Sequence, residues 1–410
     1  MTDQTPKPVR KRRVFYIPGY DPIHPRRYRE LYRKEGREQA EIAGYTLDLK
    51  PKTTGGPYGW HVNAMIEGAE VEADFEVLVW SDIVKDSMGQ SIPATYLQLA
   101  RTAYAYIGSG ALFRLMRLRK GPTIAALYPV VFLLAQLAFA LAIGRLAYLG
   151  LHKFLPNPIG VALGIALGLS LIVLILRWFR KHDNKVFAYY LMHDYAYSAQ
   201  SKGANTPELE ARMFDFSNSI AQALTENWDE VLVIGHSSGA HLAVSILNDL
   251  IRDGRVPQGD GAPALGFLSL GQVVPMVSFL PEAHRLRRDL RELCTRTELA
   301  WIDVTAPGDG CAFALCDPVA VTGVAPEDGK LWPLILSAAF TKTMSPERWK
   351  SLRWRFFRLH FQYLCAFDFP NDYDYFAITA GPQTLRARFK DRPPSKSRIE
   401  RAENHYTQTL

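Results

Sequence analysis

The sequence predicts an α/β fold in which helices flank a mostly parallel sheet and an inserted two-helix transmembrane hairpin interrupts the domain. Apolar, β-branched runs typical of buried strands alternate along the chain with helical patterns, and this alternation favours parallel strands. Two long stretches without a charged residue stand before the middle of the chain. The run EVLVIGHSSG then leads from a strand pattern into a helical one.

The predicted elements divide the chain into four parts. Strand patterns are RRVFYIP, DFEVLVW, EVLVIGH, ALGFLSL and LAWIDVT, and helical patterns cover residues 26–43, 91–120, 185–199 and 207–227. Residues 1–120 are predicted to be the N-terminal part of the domain and residues 121–180 the hairpin. Residues 181–385 form the C-terminal part with the GHSSG turn. Residues 386–410 are basic and polar, which predicts a mobile tail.

The charge-free stretches are residues 123–144 and 159–176. Each approaches the roughly 20 apolar residues that cross a bilayer core. Basic residues flank both outer ends, which predicts an integral protein of an inner or plasma membrane with both soluble parts in the cytoplasm. A pair of buried core helices is the alternative. In the second stretch a glycine recurs every four residues, which predicts close packing against another helix: Gly160, Gly164 and Gly168.

Charge and cysteine usage limit the possible partners. The net charge of +7 suits nucleic acid, anionic lipid or simply a basic surface. Basic residues concentrate at the N-terminus, beside the apolar stretches and in the tail, and this distribution favours a lipid bilayer over nucleic acid. The four cysteines lack CxxC spacing and a His cluster, so we expect reduced thiols and no metal site. The sequence has no Walker A or GxGxxG run, and no cofactor is predicted.

The GHSSG turn predicts a nucleophile. A nucleophilic serine between a strand and a helix sits in a strained turn, and side chains two residues before and after it would collide with the neighbouring backbone. Gly235 and Gly239 meet this requirement around Ser237. The N-terminus of the following helix favours a developing oxyanion. His236 and His241 are predicted to be packing or surface residues.

The string GHSSGAHLA resembles the nucleophile elbow of esterases and lipases in the α/β-hydrolase family. The resemblance implies an α/β-hydrolase-like fold and a serine hydrolase. It also implies an oxyanion hole formed by the backbone N–H groups of Ser238 and Tyr20. Pro18-Gly19-Tyr20 stands where the family has a His-Gly turn, and this chain departs from the family by lacking the His.

The family order of nucleophile, acid and His places the other two catalytic groups after Ser237. Asp309 follows the strand LAWIDVT, and open α/β sheets present their chemistry at the carboxyl ends of strands. Asp317 and Asp303 remain open alternatives for the acid. Two histidines follow the acid in the sequence, and the second stands in the polar tail. Elimination therefore makes His360 the predicted base.

Two hypotheses of function follow. The first is a membrane-anchored serine hydrolase that cleaves an ester or thioester, with a lipid or acyl chain as a candidate substrate, through a Ser-His-Asp triad and an acyl-enzyme. The second is a non-catalytic hydrolase-like module that binds a lipid or a protein partner at the membrane. A two-span transport component is disfavoured, because two spans provide little pathway.

Overall fold

One sheet combines strands from both halves of the chain. The computed structural model describes residues 8–21, 24–52, 55–83, 91–259 and 261–410. Within these residues eight strands hydrogen-bond in the order β2-β3-β4-β1-β5-β6-β7-β8. The strands are β1 (Lys11–Ile17), β2 (Thr46–Pro51), β3 (Gly59–Ile66), β4 (Ala69–Val77), β5 (Glu230–His236), β6 (Ala264–Leu270), β7 (Leu299–Thr305) and β8 (Leu334–Ser337).

Most of this sheet is parallel. β1 pairs in parallel with β4 on one side and with β5 on the other, and parallel pairing continues from β5 to β8. β3 runs antiparallel to both β2 and β4. β5 and β7 are buried along their whole length, as expected for strands that helices cover on both faces. The predicted α/β architecture with a mostly parallel sheet is confirmed.

The helical pattern over residues 26–43 is confirmed at those bounds, whereas the pattern over residues 91–120 breaks at Gly110, where φ is 74°. The helices are α1 (Arg26–Ala43), α2 (Ile92–Gly108), α3 (Ala111–Leu118), α4 (Lys120–Phe154), α5 (Pro158–Lys181), α6 (Ala188–Gln200), α7 (Pro207–Leu224), α8 (Gly239–Arg252), α9 (Val274–Ser278), α10 (His284–Leu293), α11 (Pro318–Val321), α12 (Phe340–Thr343), α13 (Pro346–Leu352), α14 (Phe356–His360), α15 (Tyr375–Ala380) and α16 (Leu385–Arg388).

The sheet separates two apolar cores. Successive side chains of a strand point to opposite faces, so one strand contributes to both cores. In β1, Phe15 and Ile17 belong to the core that contains α7 and α8. Val14 and Tyr16 belong to the other core, which contains α1 and α15. The sheet therefore forms the middle layer of three.

Helices α4 and α5 are long and apolar enough to cross a membrane, judged by length and composition. Only 22% of the most apolar window of each helix is buried, whereas a core helix would be mostly buried. The two helices approach closely, since a Cβ added at Gly168 would lie 2.8 Å from Gly144 O and one at Gly164 would lie 3.0 Å from the Tyr148 ring. The glycine-rich face of α5 therefore packs against α4.

Residues 386–410 lie against the domain, which differs from the expected mobile tail. Ile399 O accepts a hydrogen bond from Asp317 N at 2.9 Å. Arg287 Nε donates to Gln408 O at 2.7 Å. Glu403 is buried, although its charge would favour solvent in a free tail. Backbone hydrogen bonds and ion pairs hold this polar segment, and such contacts leave no apolar pattern in the sequence.

Replacing Gly144 with alanine should loosen the contact between α4 and α5. The new Cβ would lie 2.8 Å from the Ile172 side chain and 2.9 Å from Gly168 O. Overpacking of this kind costs about 1–3 kcal/mol. We expect the thermal unfolding midpoint of the detergent-solubilised G144A protein, followed by circular dichroism, to fall below that of the wild type.

Gly150→Ala is the matched control in the same helix. A Cβ at Gly150 meets no described atom within 4 Å. Alanine is also the better helix former, so this variant should unfold at the wild-type midpoint or slightly above it. Equal losses in the two variants would contradict the close helix contact.

Candidate active site

The candidate site lies where the strand order reverses. β1 has β4 on one side and β5 on the other. Open α/β sheets bind ligands in the crevice that forms outside the carboxyl ends of the strands at such a point. Tyr20 follows β1 and Ser237 follows β5, and both line one cavity. The topology therefore brings together the two turns that the sequence singled out.

Ser237 occupies a strained turn between β5 and α8. Its φ is 57°, a left-handed conformation that costs a residue with a side chain about 1–3 kcal/mol. The flanking glycines make the turn possible. A Cβ at Gly235 would lie 2.7 Å from the backbone of α8, and one at Gly239 would clash with Ile17 O. Side chains at these two positions would therefore collide with neighbouring backbone, as the GHSSG turn predicts.

The turn after β1 lies directly against Ser237. A Cβ added at Gly19 would lie 2.9 Å from Ser237 Cβ and 3.3 Å from Ser237 Oγ. Trp80 Nε1 donates to Pro18 O at 2.8 Å and fixes this turn from the side of β4. The predicted Pro18-Gly19-Tyr20 segment therefore borders the serine.

The two predicted oxyanion residues lie on these two turns. Ser238 is the N-cap residue of α8, and within the described ranges its N–H donates no hydrogen bond to the protein. Tyr20 lines the cavity, and its carbonyl oxygen accepts a hydrogen bond from the Tyr190 hydroxyl. Backbone N–H groups at a helix N-terminus favour an anion, so the Ser238 side of this arrangement suits a developing oxyanion.

Asp309 and His360 form a buried hydrogen-bonded pair. His360 Nδ1 lies 2.7 Å from Asp309 Oδ2. An ionised carboxylate can only accept, so Nδ1 carries the proton and Nε2 of the neutral imidazole is an acceptor. Asp309 also accepts from Cys311 N at 2.8 Å and from the Tyr363 hydroxyl at 3.0 Å. These contacts hold the imidazole in the tautomer that a general base requires.

The surroundings keep Asp309 ionised. Burial raises the pKa of this carboxyl, but the charge and hydrogen bond of His360 and the hydrogen bonds from Cys311 and Tyr363 lower it by more. The net pKa lies below the ordinary value for Asp. A fixed negative charge therefore faces His360 at neutral pH.

The two alternative acids make other contacts. Asp303, inside β7, accepts from Ser269 Oγ at 2.6 Å, and burial raises its pKa to about 8. Asp317 caps α11 and forms an ion pair with Lys330. Neither carboxylate bonds to His360 in the part of the chain that the structure describes. Of the three candidates, the structure brings Asp309 to the histidine.

His236 supports the backbone of His360. His236 Nε2 lies 3.1 Å from His360 O, and the carbonyl can only accept, so Nε2 carries the proton. Burial, and then the nearby His360, lower the pKa of His236 to about 3. The ring is therefore neutral, and its Nδ1 accepts from the Tyr16 hydroxyl at 3.1 Å. His236, predicted to be a packing or surface residue, packs against the backbone of His360 and also lines the cavity. His241 is buried and also lines the cavity.

Ser237 and His360 line the same cavity, and β6 connects them. Ser237 N donates to Leu270 O at 2.9 Å. A Cβ at the next residue, Gly271, would lie 3.1 Å from His360 Cε1. No hydrogen bond joins Ser237 Oγ to His360 among the described residues, and catalytic hydrogen bonds often tighten only in the complex with substrate. A complete relay therefore requires Ser237 Oγ and His360 Nε2 to come within hydrogen-bonding distance of each other.

The cavity has a volume of about 350 Å³ and a mostly apolar wall. Its size falls within the range of small-molecule sites. The wall comes from segments far apart in the chain, and the sequence carries no local signal that would group them. Its apolar part includes Tyr106, Pro122, Leu191, Val273, Met276 and Val277.

The cavity also has a polar corner, formed by Arg27 and Asp21, that the sequence analysis did not predict. Arg27 Nη1 lies 2.8 Å from Asp21 Oδ2, and both residues line the cavity. The guanidinium carbon of Arg27 lies 4.7 Å from the centroid of the Phe361 ring, next to His360. Asp21 directly follows the Pro18-Gly19-Tyr20 segment, and this position is the one sequence signal that could have indicated the corner.

A metal centre fits these residues poorly. Ligand atoms of Asp309, Cys311 and His360 all lie within 4.8 Å of one another. Asp309 and His360 are, however, hydrogen-bonded to each other, so these two ligand atoms are already occupied. Burial, and then the charge of Asp309, raise the pKa of the Cys311 thiol well above its ordinary value, whereas a metal binds the thiolate. The geometry favours a hydrogen-bonded acid–histidine pair.

Asp303→Asn should change how stability depends on pH. The pKa of Asp303 is about 8 in the folded chain and about 4 in the unfolded chain. Between these values the unfolded state releases a proton that the folded state keeps, so wild-type stability falls as pH rises from about 4 to about 8. The thermal midpoint of D303N minus that of the wild type should therefore increase across this range.

Asp309→Asn should show the opposite trend. The folded pKa of Asp309 is lowered, so its charge stabilises the fold above the unfolded pKa of about 4 and this contribution is lost as pH falls through the folded pKa. The deficit of D309N in thermal midpoint should be largest near neutral pH and should shrink in acid. Parallel trends for the two variants would contradict the assigned environments.

Comparisons with protein-family models, with curated proteins and with solved structures find no match to this chain. The resemblance of the GHSSG turn to a hydrolase elbow is therefore a likeness in a short segment, to be weighed with the geometry around it. That geometry comprises a strained Ser237, a buried Asp309–His360 pair and a largely apolar cavity that Ser237 and His360 share.

Proposed function

We propose that the chain is a serine hydrolase of the α/β-hydrolase type that cleaves an ester or thioester through the triad Ser237, His360 and Asp309. The observation that carries the proposal is the buried Asp309–His360 hydrogen bond in the cavity that the strained Ser237 lines. The three residues follow the family order of nucleophile, acid and base. This combination supports acyl transfer more specifically than the GHSSG turn does alone.

In the first half-reaction Ser237 Oγ attacks the acyl carbon and its proton passes to His360 Nε2. The tetrahedral intermediate then collapses. The bond from the acyl carbon to the alcohol oxygen or thiol sulfur breaks, and the leaving group takes the proton from His360. Asp309 stays ionised throughout and stabilises the imidazolium. The products of this half-reaction are the alcohol or thiol and an acyl-enzyme on Ser237.

In the second half-reaction water attacks the acyl-enzyme. His360 Nε2 accepts a proton from the water, and the new tetrahedral intermediate expels Ser237 Oγ, which takes this proton back. The acid product leaves and the enzyme returns to its first state. In both halves the negative oxygen would accept hydrogen bonds from the N–H groups of Ser238 and Tyr20, and one such donor typically contributes about 10²–10³ in rate.

We also propose that α4 and α5 anchor the enzyme in a bilayer, with both soluble parts on the cytoplasmic side. Their length, composition and low burial support an anchor. Basic residues stand at both outer ends of the pair, which include Arg117, Arg119, Arg180 and Lys181. Positive residues at the ends of membrane spans favour the cytoplasm.

A soluble fluorophosphonate probe tests the hydrolase directly, because it forms a covalent bond only with an activated serine. Wild-type protein in native membranes should be labelled, and Ser237→Ala should not. Asp309→Asn should react about 10⁴-fold more slowly, because the histidine loses the partner that fixes its tautomer. His360→Gln should be slowed at least as much, and gel fluorescence against time gives all the rates.

Two matched variants control for incidental damage. Ser351→Ala removes an exposed serine, and His405→Gln removes the other histidine that follows Asp309 in the chain. Both should be labelled at the wild-type rate. Unlabelled wild-type protein with a normal thermal midpoint, or labelling that survives Ser237→Ala, would instead support the non-catalytic binding module.

A further inference from the structure

Exposed aromatic side chains border the cavity. Phe187 and Phe357 line the cavity, yet they are 41% and 45% exposed, and their ring centroids lie 6.1 Å apart. Phe356 directly precedes Phe357 and has its ring centroid 6.4 Å from that of Trp354, and these two side chains are 47% and 72% exposed. We name Phe187, Trp354, Phe356 and Phe357 the aromatic patch. A contiguous apolar surface beside a site is typical of an interaction surface.

The aromatic patch lies beside the two points where the helix pair joins the rest of the domain, namely the start of α4 and the end of α5. At the entry, Gly121 lies in the first turn of α4, and a Cβ there would be 3.3 Å from Gly310 O. A Cβ at Gly310 would in turn be 3.2 Å from the Phe356 ring. At the exit, a single 3-10 turn separates α5 from Phe187. The patch therefore lies where the two apolar helices leave the domain.

Two arginines give the aromatic patch a positive charge. Arg353 and Arg355 are exposed on either side of Trp354. The guanidinium carbon of Arg353 lies 5.6 Å from the Trp354 ring centroid. Neither arginine forms an ion pair with a carboxylate of the described segments. Exposed Trp and Phe beside unneutralised Arg match the headgroup region of a bilayer that contains anionic lipid.

The cavity connects this surface with Ser237. Pro122, in the first turn of α4, lines the cavity together with Phe187 and Phe357. Tyr106 of α2 contributes to the same wall. Residues next to the apolar helix pair and Ser237 therefore line one largely apolar cavity, so an acyl chain that entered at the patch would contact mainly apolar side chains on its way to Ser237.

We propose that the aromatic patch lies in the headgroup region of the bilayer that α4 and α5 cross, and that the cavity receives the acyl chain of a lipid from that bilayer. The inference rests on the proposed hydrolase and specifies its substrate as a long-chain acyl ester of the membrane. Ser237 Oγ takes the acyl group, the bond to the lipid alcohol breaks, and water releases the acyl group as a fatty acid.

The position of the aromatic patch relative to the bilayer can be measured without an enzyme assay. The full chain is reconstituted in vesicles of phosphatidylcholine and phosphatidylglycerol whose acyl chains carry bromine near the headgroup, and quenching of tryptophan fluorescence is recorded. Trp354→Phe should lower the quenched fraction, because it removes a tryptophan that touches the lipid. Trp228→Phe is the control. Trp228 lies just before the amino end of β5, whereas Ser237 follows the carboxyl end of the same strand.

The substrate class is measured by a ratio of two rates. One substrate is a long-chain ester embedded in the vesicles, and the other is a water-soluble butyrate ester. Trp354→Ser should lower the ratio of the long-chain rate to the short-chain rate about tenfold, because the membrane contact that presents the bilayer ester is lost. Met65→Ser is the control and should not change the ratio. Met65 is an exposed apolar residue of β3 that pairs with Glu70 at the amino end of β4, so it lies at the end of the sheet opposite Ser237.

The outcomes separate the two proposals. If the wild type hydrolyses the butyrate ester but neither the quenching of W354F nor the ratio of W354S differs from its control, the membrane-facing cavity is overturned and the hydrolase stands. If neither ester is cleaved and Ser237 takes no fluorophosphonate, the hydrolase fails and the substrate assignment fails with it. Quenching by brominated lipid then still decides where the aromatic patch lies.

Discussion

The contact between the carboxyl ends of β1 and β5 is the constraint on which the site depends. Gly239 allows α8 to start directly against Ile17 O, and Gly19 allows the turn after β1 to reach Ser237. A larger side chain at either glycine would push apart the strands that lie on the two sides of the switch point. The strained φ of Ser237 persists because backbone from both strands surrounds it.

Local physical requirements made part of this structure predictable. α1 and β5 have strong periodic or continuous apolar patterns, and Ser237 has glycines whose steric role is local. β2 alternates between exposed and half-buried residues, and β8 has four residues, so neither carries a clear apolar signal. The ordered tail was missed for a related reason, since its contacts are polar.

The pairing of Asp309 with His360 joins residues 51 positions apart, and sequence reasoning reached it through chain order and the scarcity of histidines. No comparable sequence signal indicates which residues form the cavity wall. Tyr106, Pro122 and Phe357 become neighbours only when α4 packs beside the loop that carries Asp309. Arg119, the residue before α4, reinforces that contact by donating two hydrogen bonds to Ala314 O. The start of α4 therefore also supports the loop that carries Asp309.

The order of the sheet has a consequence for membrane insertion. β4 precedes α4 and β5 follows α5, yet both hydrogen-bond to β1 in a single sheet. A sheet cannot be divided by a bilayer, so the chain between these strands must cross an even number of times. One crossing helix would leave β5 to β8 on the wrong side. Two helices are therefore the smallest transbilayer insertion that this sheet allows, and in the proposed anchor neither α4 nor α5 can be lost alone.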